Sequence, residues 1–339
     1  TIILLTGFYL KKMNTISKNI AIQYFLYFLL IISYTLILKN YARDFTSYET
    51  LHTHSNIYEL KRIFKDFYYE PAFLIIFYYL SKVLPFYELF FLLSLITMTI
   101  KLVLFKRFNQ NYFLAIFLYI FLGFFSLYEA SQIRTAIGVT FILYAIISKN
   151  KNFLFYLGLT LLGLCFHKVT ILILPLYSIR FSLLSCVVIF FLFLFQDPLI
   201  NFLVTNFDSY NLQIVRSLSA YHTPGYAAKT FDAFLIPASL TNSFFWSMLF
   251  INLIIFFNFK KLNFIQKKSF LYMVISCFLY IAFISSANVA SRFLEAGMIG
   301  LIPLVCAQKF SWDKKWLFVY GLIGYIICYQ TTLISILIL

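Results

Sequence analysis

Four groups of polar residues interrupt an otherwise apolar chain, and each has a composition that could do chemistry. The first is Glu129-Ala-Ser-Gln132-Ile-Arg134-Thr-Ala-Ile-Gly138. On a helix Ser131, Arg134 and Gly138 share one face. A guanidinium flanked by small residues invites a neighbouring helix or a ligand to come close. The structural alternative is an arginine that snorkels to the interface. The second group is Phe166-His167-Lys168. An ordinary imidazole titrates near neutrality and could take a proton, although a lone histidine in such a place often only satisfies local structure. The third is Asn288-Val-Ala-Ser-Arg292-Phe-Leu-Glu295, whose spacing puts the polar groups on one helical face. It reads either as an internal ion pair or as an anion clamp with Glu295 orienting Arg292. The fourth runs from Tyr41 through Arg43, Asp44, Tyr48, Glu49, His52 and His54 to Glu70-Pro71. Glu70 precedes a helix-opening proline, where a carboxylate complements the helix dipole. Asp44 has no such role. A more diffuse set follows in Asp208, Tyr210, Arg216, Tyr221, His222, Tyr226, Lys229 and Asp232. Aromatic faces beside carboxylates suit sugar rings, but an interfacial amphipathic helix at 211–219 would need no ligand.

These groups are carried by a chain made for lipid. Of its 339 residues 62% are hydrophobic, 22% aromatic and only 12% charged. Mean hydropathy is +0.88. A soluble domain is nearer a quarter charged, so this composition excludes a soluble globule, a disordered chain and a disulfide scaffold. The expected fold is all-α: a polytopic membrane helix bundle, one integral membrane domain over 1–339. Candidate spans are 20–38, 86–105, 112–127, 133–147, 153–166, 169–179, 183–195, 240–257, 270–284, 293–307 and 316–339. That predicts about 11 (roughly 10–12) crossings, with the segment 169–179, broken by Pro175, the weakest. The segment 71–84 lies between two prolines and reads as a re-entrant or interfacial helix. Met13 opens a more ordinary basic leader, so residues 1–12 are expected to precede the start, and no removable signal peptide is expected.

Charge placement orients the layout. With the N-terminus in the cytoplasm, the inner side collects Lys11, Lys12, Lys18, Lys106, Arg107, Lys149, Lys151, Arg180, Lys260, Lys261, Lys267, Lys268, Lys309, Lys314 and Lys315, with Asp313 as their acid. Acids and bases balance on the outer side, as positive-inside sorting requires. The net charge of +15 is therefore topology and gives no reason to expect nucleic acid. Nearly all of these chemical groups fall at the outer ends of helices. Two segments, 39–70 and 196–237, are long outer-face loops, a length that usually signals function. Five cysteines lie singly in apolar runs, and four histidines form no HExxH, so no metal cage is expected. No P-loop or dinucleotide fingerprint occurs, and no cofactor is expected.

The order of motifs resembles a known family. An acidic, tyrosine-rich outer loop leads to Glu70-Pro71-Ala-Phe. Then come Gln132-Ile-Arg134-Thr-Ala, Phe166-His167-Lys-Val-Thr, and a late Arg292. This resembles the EpsG-like and Wzy-type polysaccharide polymerases, over roughly Tyr41–Arg292. The family often has a tyrosine soon after the late arginine, where this chain has Phe293, Leu294 and Glu295. The resemblance implies a GT-C-like fold in the bacterial inner membrane. It also implies transfer of an undecaprenyl-pyrophosphate-linked glycan onto another lipid-linked repeat unit at the outer face. Such a reaction needs cations on the pyrophosphate and a base for the attacking hydroxyl. Arg134, Arg292 and Gln132 are the expected pyrophosphate ligands. His167 is the expected base, with Asp44 or Glu70 in reserve. Tyr48, Tyr210 and Tyr221 would hold sugar rings. Membrane lipid, a chain-length regulator and a flippase are the expected partners. The rival reading is a flippase for the same lipid-linked glycans. Flippases commonly show two related halves and charges spread through the bilayer depth, whereas here the charges sit at one face and no repeat is visible.

Overall fold

The computed structural model describes residues 44–67, 69–129, 131–194, 243–283 and 287–307. The expected spans 20–38 and 316–339 and the second outer loop lie outside the described residues. Among the described residues every regular element is helical. In chain order the helices are α1 (Phe45–Ile57), α2 (Leu60–Asp66), α3 (Pro71–Ser81), α4 (Phe86–Phe105), α5 (Tyr112–Phe121), α6 (Ile133–Ile147), α7 (Phe153–Leu164), α8 (Ile179–Leu194), α9 (Ser243–Phe257), α10 (Phe264–Ala282), α11 (Ala287–Met298) and α12 (Leu301–Cys306). A long 3-10 helix, Lys168–Tyr177, joins α7 to α8.

Two of these, Phe86–Phe108 and Phe264–Ala282, are long and apolar enough to cross a bilayer. Most of the other apolar helices are shorter, and many present Phe, Ile, Leu and Val outward, as lipid-facing helices do. The 3-10 helix has its own explanation. It begins beside His167 and ends with Tyr177 against Phe153 and Tyr156, so it traverses the same depth as α7. A 3-10 helix rises about 2 Å per residue against about 1.5 Å for an α-helix, so ten residues suffice.

The segment expected as the first outer loop is helical over most of its described residues. It folds as α1 and α2, and α1 buries Phe45, Tyr48, Leu51 and Ser55. Spacings of three and four put these on one face. Phe45 meets Phe86 edge to face at 5.1 Å, and Tyr48 lies against Phe73 at 5.8 Å. An aromatic cluster thereby fixes the segment onto α3 and α4. Helix α3 has eleven residues, about 16 Å of rise, too short to cross. Its amides at Ala72 and Phe73 both reach the Cys165 carbonyl, at 3.0 and 3.4 Å.

Two ends of the bundle differ in chemistry. At one end Lys268 Nζ donates to the Ser148 carbonyl (2.8 Å) and to the Tyr156 hydroxyl, closing the C-terminus of α6. Arg107 sits over the Tyr144 ring nearby. Asn263 and Gln266 form a capping box that opens α10 and also bond the Ala307 and Leu304 carbonyls. These are the ends that the charge pattern assigns to one side. The opposite end of α6 carries Gln132 and Arg134.

Candidate functional site

Gly123, at φ 76°, turns the chain out of α5, and a π-helical turn, Phe125–Glu129, leads to Gln132 at the start of α6. Glu129 is anchored deep in the bundle. Its carboxylate pairs with Lys101 of α4 and accepts from the Tyr119 hydroxyl, and all three are fully buried. Lys101 also donates to the Ala136 carbonyl at 2.9 Å, and Ser94 donates to the Glu129 carbonyl at 2.6 Å. The first turn of α6 is thus fixed from below.

Arg134 leaves that turn toward the outer segment. Its Nη1 donates to Glu70 Oε2 at 2.9 Å, and its Nε to the Tyr48 hydroxyl at 3.4 Å. The guanidinium carbon lies 3.9 Å over the Tyr69 ring, a cation–π stack. The other Glu70 oxygen accepts from the Lys168 amide at 3.3 Å. Burial alone would raise the Glu70 carboxyl, but Arg134, then His167, draw it below the usual carboxylate value. Burial raises the Tyr48 hydroxyl against the pull of Arg134.

Arg292, on α11, forms the second pair. Its Nη2 donates to both oxygens of Asp44, at 3.0 and 3.1 Å. The Tyr128 hydroxyl holds the neighbouring Glu295 carbonyl at 2.7 Å, which ties α11 to the π-turn. Arg292 Nη1 is buried without a hydrogen-bond partner, and so is Gln132 Nε2. Leaving a buried donor unmet costs roughly 1–3 kcal/mol, so each of these donors has room in its hydrogen-bonding for a water or a ligand acceptor.

His167 sits among all four charges. Glu70, Arg134, Arg292 and Asp44 each act on its ring. Its turn is held close to α6, where a side chain added at Gly138 would come within 3.0 Å of the His167 Cβ. Nδ1 accepts from the Val169 amide at 3.2 Å. Nε2 lies 3.2 Å from the Thr135 hydroxyl, which in turn donates to Gln132 Oε1 at 3.2 Å. Burial is the main cause that lowers the imidazole to about 4; Glu70 opposes it, while Arg134 and Arg292 add to it. The ring is neutral at neutral pH, with its proton on Nε2. Among the described residues no group of three His, Cys, Asp or Glu gathers as a metal site.

Two arginines, each paired with a carboxylate, and two buried donors without a protein partner converge at this end of α6. The EpsG family model matches residues 20–337. The chain belongs to the EpsG family. No curated protein and no solved structure matches it. EpsG membership gives it a polysaccharide polymerase-type role, and with its apolar helical bundle it is a membrane protein.

On this EpsG chain the residues expected from sequence meet unevenly. Asp44, Glu70, Gln132, Arg134, His167 and Arg292 converge. Tyr210 and Tyr221 lie outside the described residues. Tyr48 does not fit the sugar platform expected of it, because its ring is wholly buried and supports Arg134 instead. Glu70 occupies the N-cap position of α3 but makes no side-chain cap, since its oxygens serve Arg134 and Lys168. Arg292 is hydrogen-bonded to Asp44, and the expected Glu295 also acts on it electrostatically. His167 offers no lone pair for a substrate proton while Nδ1 is taken by Val169. Tyr69 and Thr135 were not legible in advance. Tyr69 is one of 26 tyrosines, and its one signal is its place next to Glu70.

Proposed function

We propose that this EpsG-family chain polymerises a surface polysaccharide, whether O-antigen, capsule or exopolysaccharide. It transfers an undecaprenyl-pyrophosphate-linked glycan onto another lipid-linked repeat unit at the outer face of the bacterial inner membrane. The observation that carries this reading is the convergence of the Arg134–Glu70 and Arg292–Asp44 pairs at the end of α6 opposite Lys268. Arg134, Arg292 and the Gln132 amide bind the pyrophosphate and stabilise the charge it gains as it leaves.

The carboxylates hold the arginines until the substrate arrives. A pyrophosphate competes for the same guanidinium forks. Glu70 keeps its second anchor, the Lys168 amide, when Arg134 turns to the substrate. Asp44, whose carboxylate bonds only Arg292 among the described residues, is released and becomes the general base. The acceptor hydroxyl oxygen attacks the anomeric carbon. The bond from that carbon to the pyrophosphate oxygen breaks, its electron pair leaves with undecaprenyl pyrophosphate, and the hydroxyl proton passes to Asp44. Exchange of the activated glycosyl–pyrophosphate linkage for the new glycosidic bond supplies the driving force, so no nucleotide is consumed.

In this reading residues 1–339 form one GT-C-like membrane domain with about 11 crossings and a cytoplasmic N-terminus. Tyr210 and Tyr221 of the second outer loop hold sugar rings, and a flippase and a chain-length regulator act beside the enzyme. The length distribution of surface glycan in a deletion strain tests the function. Single-repeat glycans on the surface are the expected result. Their complete absence from the surface would favour translocation over polymerisation.

A further inference from the structure

The pyrophosphate site proposed above leaves one arrangement unexplained. Three residues of the inner wall form a directed chain of hydrogen bonds that ends on an unmet donor. The Val169 amide donates to His167 Nδ1, so the neutral ring carries its hydrogen on Nε2. That hydrogen points to the Thr135 hydroxyl, 3.2 Å away. Accepting there, the hydroxyl uses its one hydrogen to donate onward to Gln132 Oε1. The carbonyl of the Gln132 amide is thereby fixed, and its Nε2, in the same plane on the far side of Cδ, is buried and without a hydrogen-bond partner.

We infer that Thr135 is a positioning residue, held by a neutral His167, that sets the Gln132 amide so that its Nε2–H donates to the leaving pyrophosphate. This rests on the reaction proposed above. Each bond fixes the direction of the next. A flipped amide would present its carbonyl, and not its N–H, to the arriving anion. Protonation of His167 would put hydrogens on both ring nitrogens, and the Val169 amide would then face a second donor. The groups that set the ring's charge are Glu70 before α3, Asp44 before α1, Arg134 on α6 and Arg292 on α11. Burial beside two guanidiniums keeps the ring neutral throughout the physiological range.

The test uses the full-length protein in lipid nanodiscs with a synthetic polyprenyl-pyrophosphate-linked repeat unit. Thr135→Val removes the hydroxyl at nearly constant volume. It should lower kcat about 10-fold or more, with little change in KM and an unchanged melting temperature. Thr135→Ser keeps the hydroxyl and should stay within about threefold of wild type. Nitrogen NMR of the histidine-labelled protein should show an unprotonated Nδ1 at neutral pH for His167, whether or not the substrate is the right one. If wild type makes polymer and Thr135→Val makes it as fast, the relay is wrong while the polymerase reading stands. An Nδ1–H tautomer or an imidazolium at neutral pH would overturn the relay by itself. A wild-type protein without polymerase activity would remove the reaction on which the relay rests.

Discussion

Arg134 is stacked, bonded and neutralised before any substrate arrives, by Tyr69, Tyr48 and Glu70. Its planar fork is what those contacts recognise. Arg134→Ala should lower polymer synthesis by about 10²–10³-fold, the scale of losing one transition-state donor. Arg134→Lys should recover little, because an ammonium cannot make the fork or the stack. Wild-type chain lengths from a normally expressed alanine variant would contradict this. The neighbouring imidazole has a signature in pH. Folded His167 stays neutral down to about 4, whereas an unfolded histidine protonates near about 6.5. Between those values the unfolded state binds the extra proton, so stability is full above about 6.5 and is lost as pH falls. Thermal unfolding of wild type in detergent should weaken from about pH 6.5 to 5, where carboxylates remain ionised, and His167→Gln should flatten that slope. The same slope in both proteins would show that the ring is exposed. At this scale the sequence exposed the charged groups, because a charge at the end of an apolar stretch needs a reason. It could not show how they pair. Asp44 and Arg292 lie 248 positions apart. Thr135 was hidden because a helix accommodates a threonine for many reasons.

Helix α6 is the element that everything else serves. Its first turn presents Gln132, Arg134 and Thr135, while Lys101 and Glu129 brace it from within the bundle and Lys268 closes its far end. Removing one member of a buried pair leaves an unpaired charge, at a cost of about 3–5 kcal/mol. Lys101→Met should therefore lower the yield and melting temperature of the purified protein. The double variant Lys101→Met with Glu129→Gln should recover most of both, since no ion remains buried. A double variant as unstable as the single one would show that the pair does more than balance charge. Glu129 was grouped with Gln132 and Arg134 by sequence, and its chain neighbours are at the site. The π-turn rotates it inward, a local register change that periodicity cannot reveal. The same holds for the outer segment 39–70. Its polar composition suggested a loop, and the spacing of Phe45, Tyr48 and Leu51 was the helical signal within it.

Among the described residues, and apart from the buried Lys101–Glu129 pair, many polar groups lie at one of two ends of the bundle. Glu70, Arg134, His167 and Arg292 gather at one, and Lys268, Arg107 and Asn263 at the other. A reporter fused after Lys261 should be active only in the cytoplasm, and one after Tyr221 only outside. The opposite pattern would put the site on the wrong face of the membrane. Short helices obscured the crossings in the sequence, because a segment such as Lys168–Tyr177 gains its depth from 3-10 geometry and not from length. The central claim is that the two arginine–carboxylate pairs polymerise lipid-linked glycan. Its most direct test is the product ladder formed when purified protein in nanodiscs is given a polyprenyl-pyrophosphate-linked single repeat unit. Wild type should build a ladder of lengthening glycans and release polyprenyl pyrophosphate, and both Arg134→Ala and Arg292→Ala should leave the single repeat. A wild-type protein that leaves the single repeat intact, yet moves it across the bilayer of a vesicle, would contradict the account.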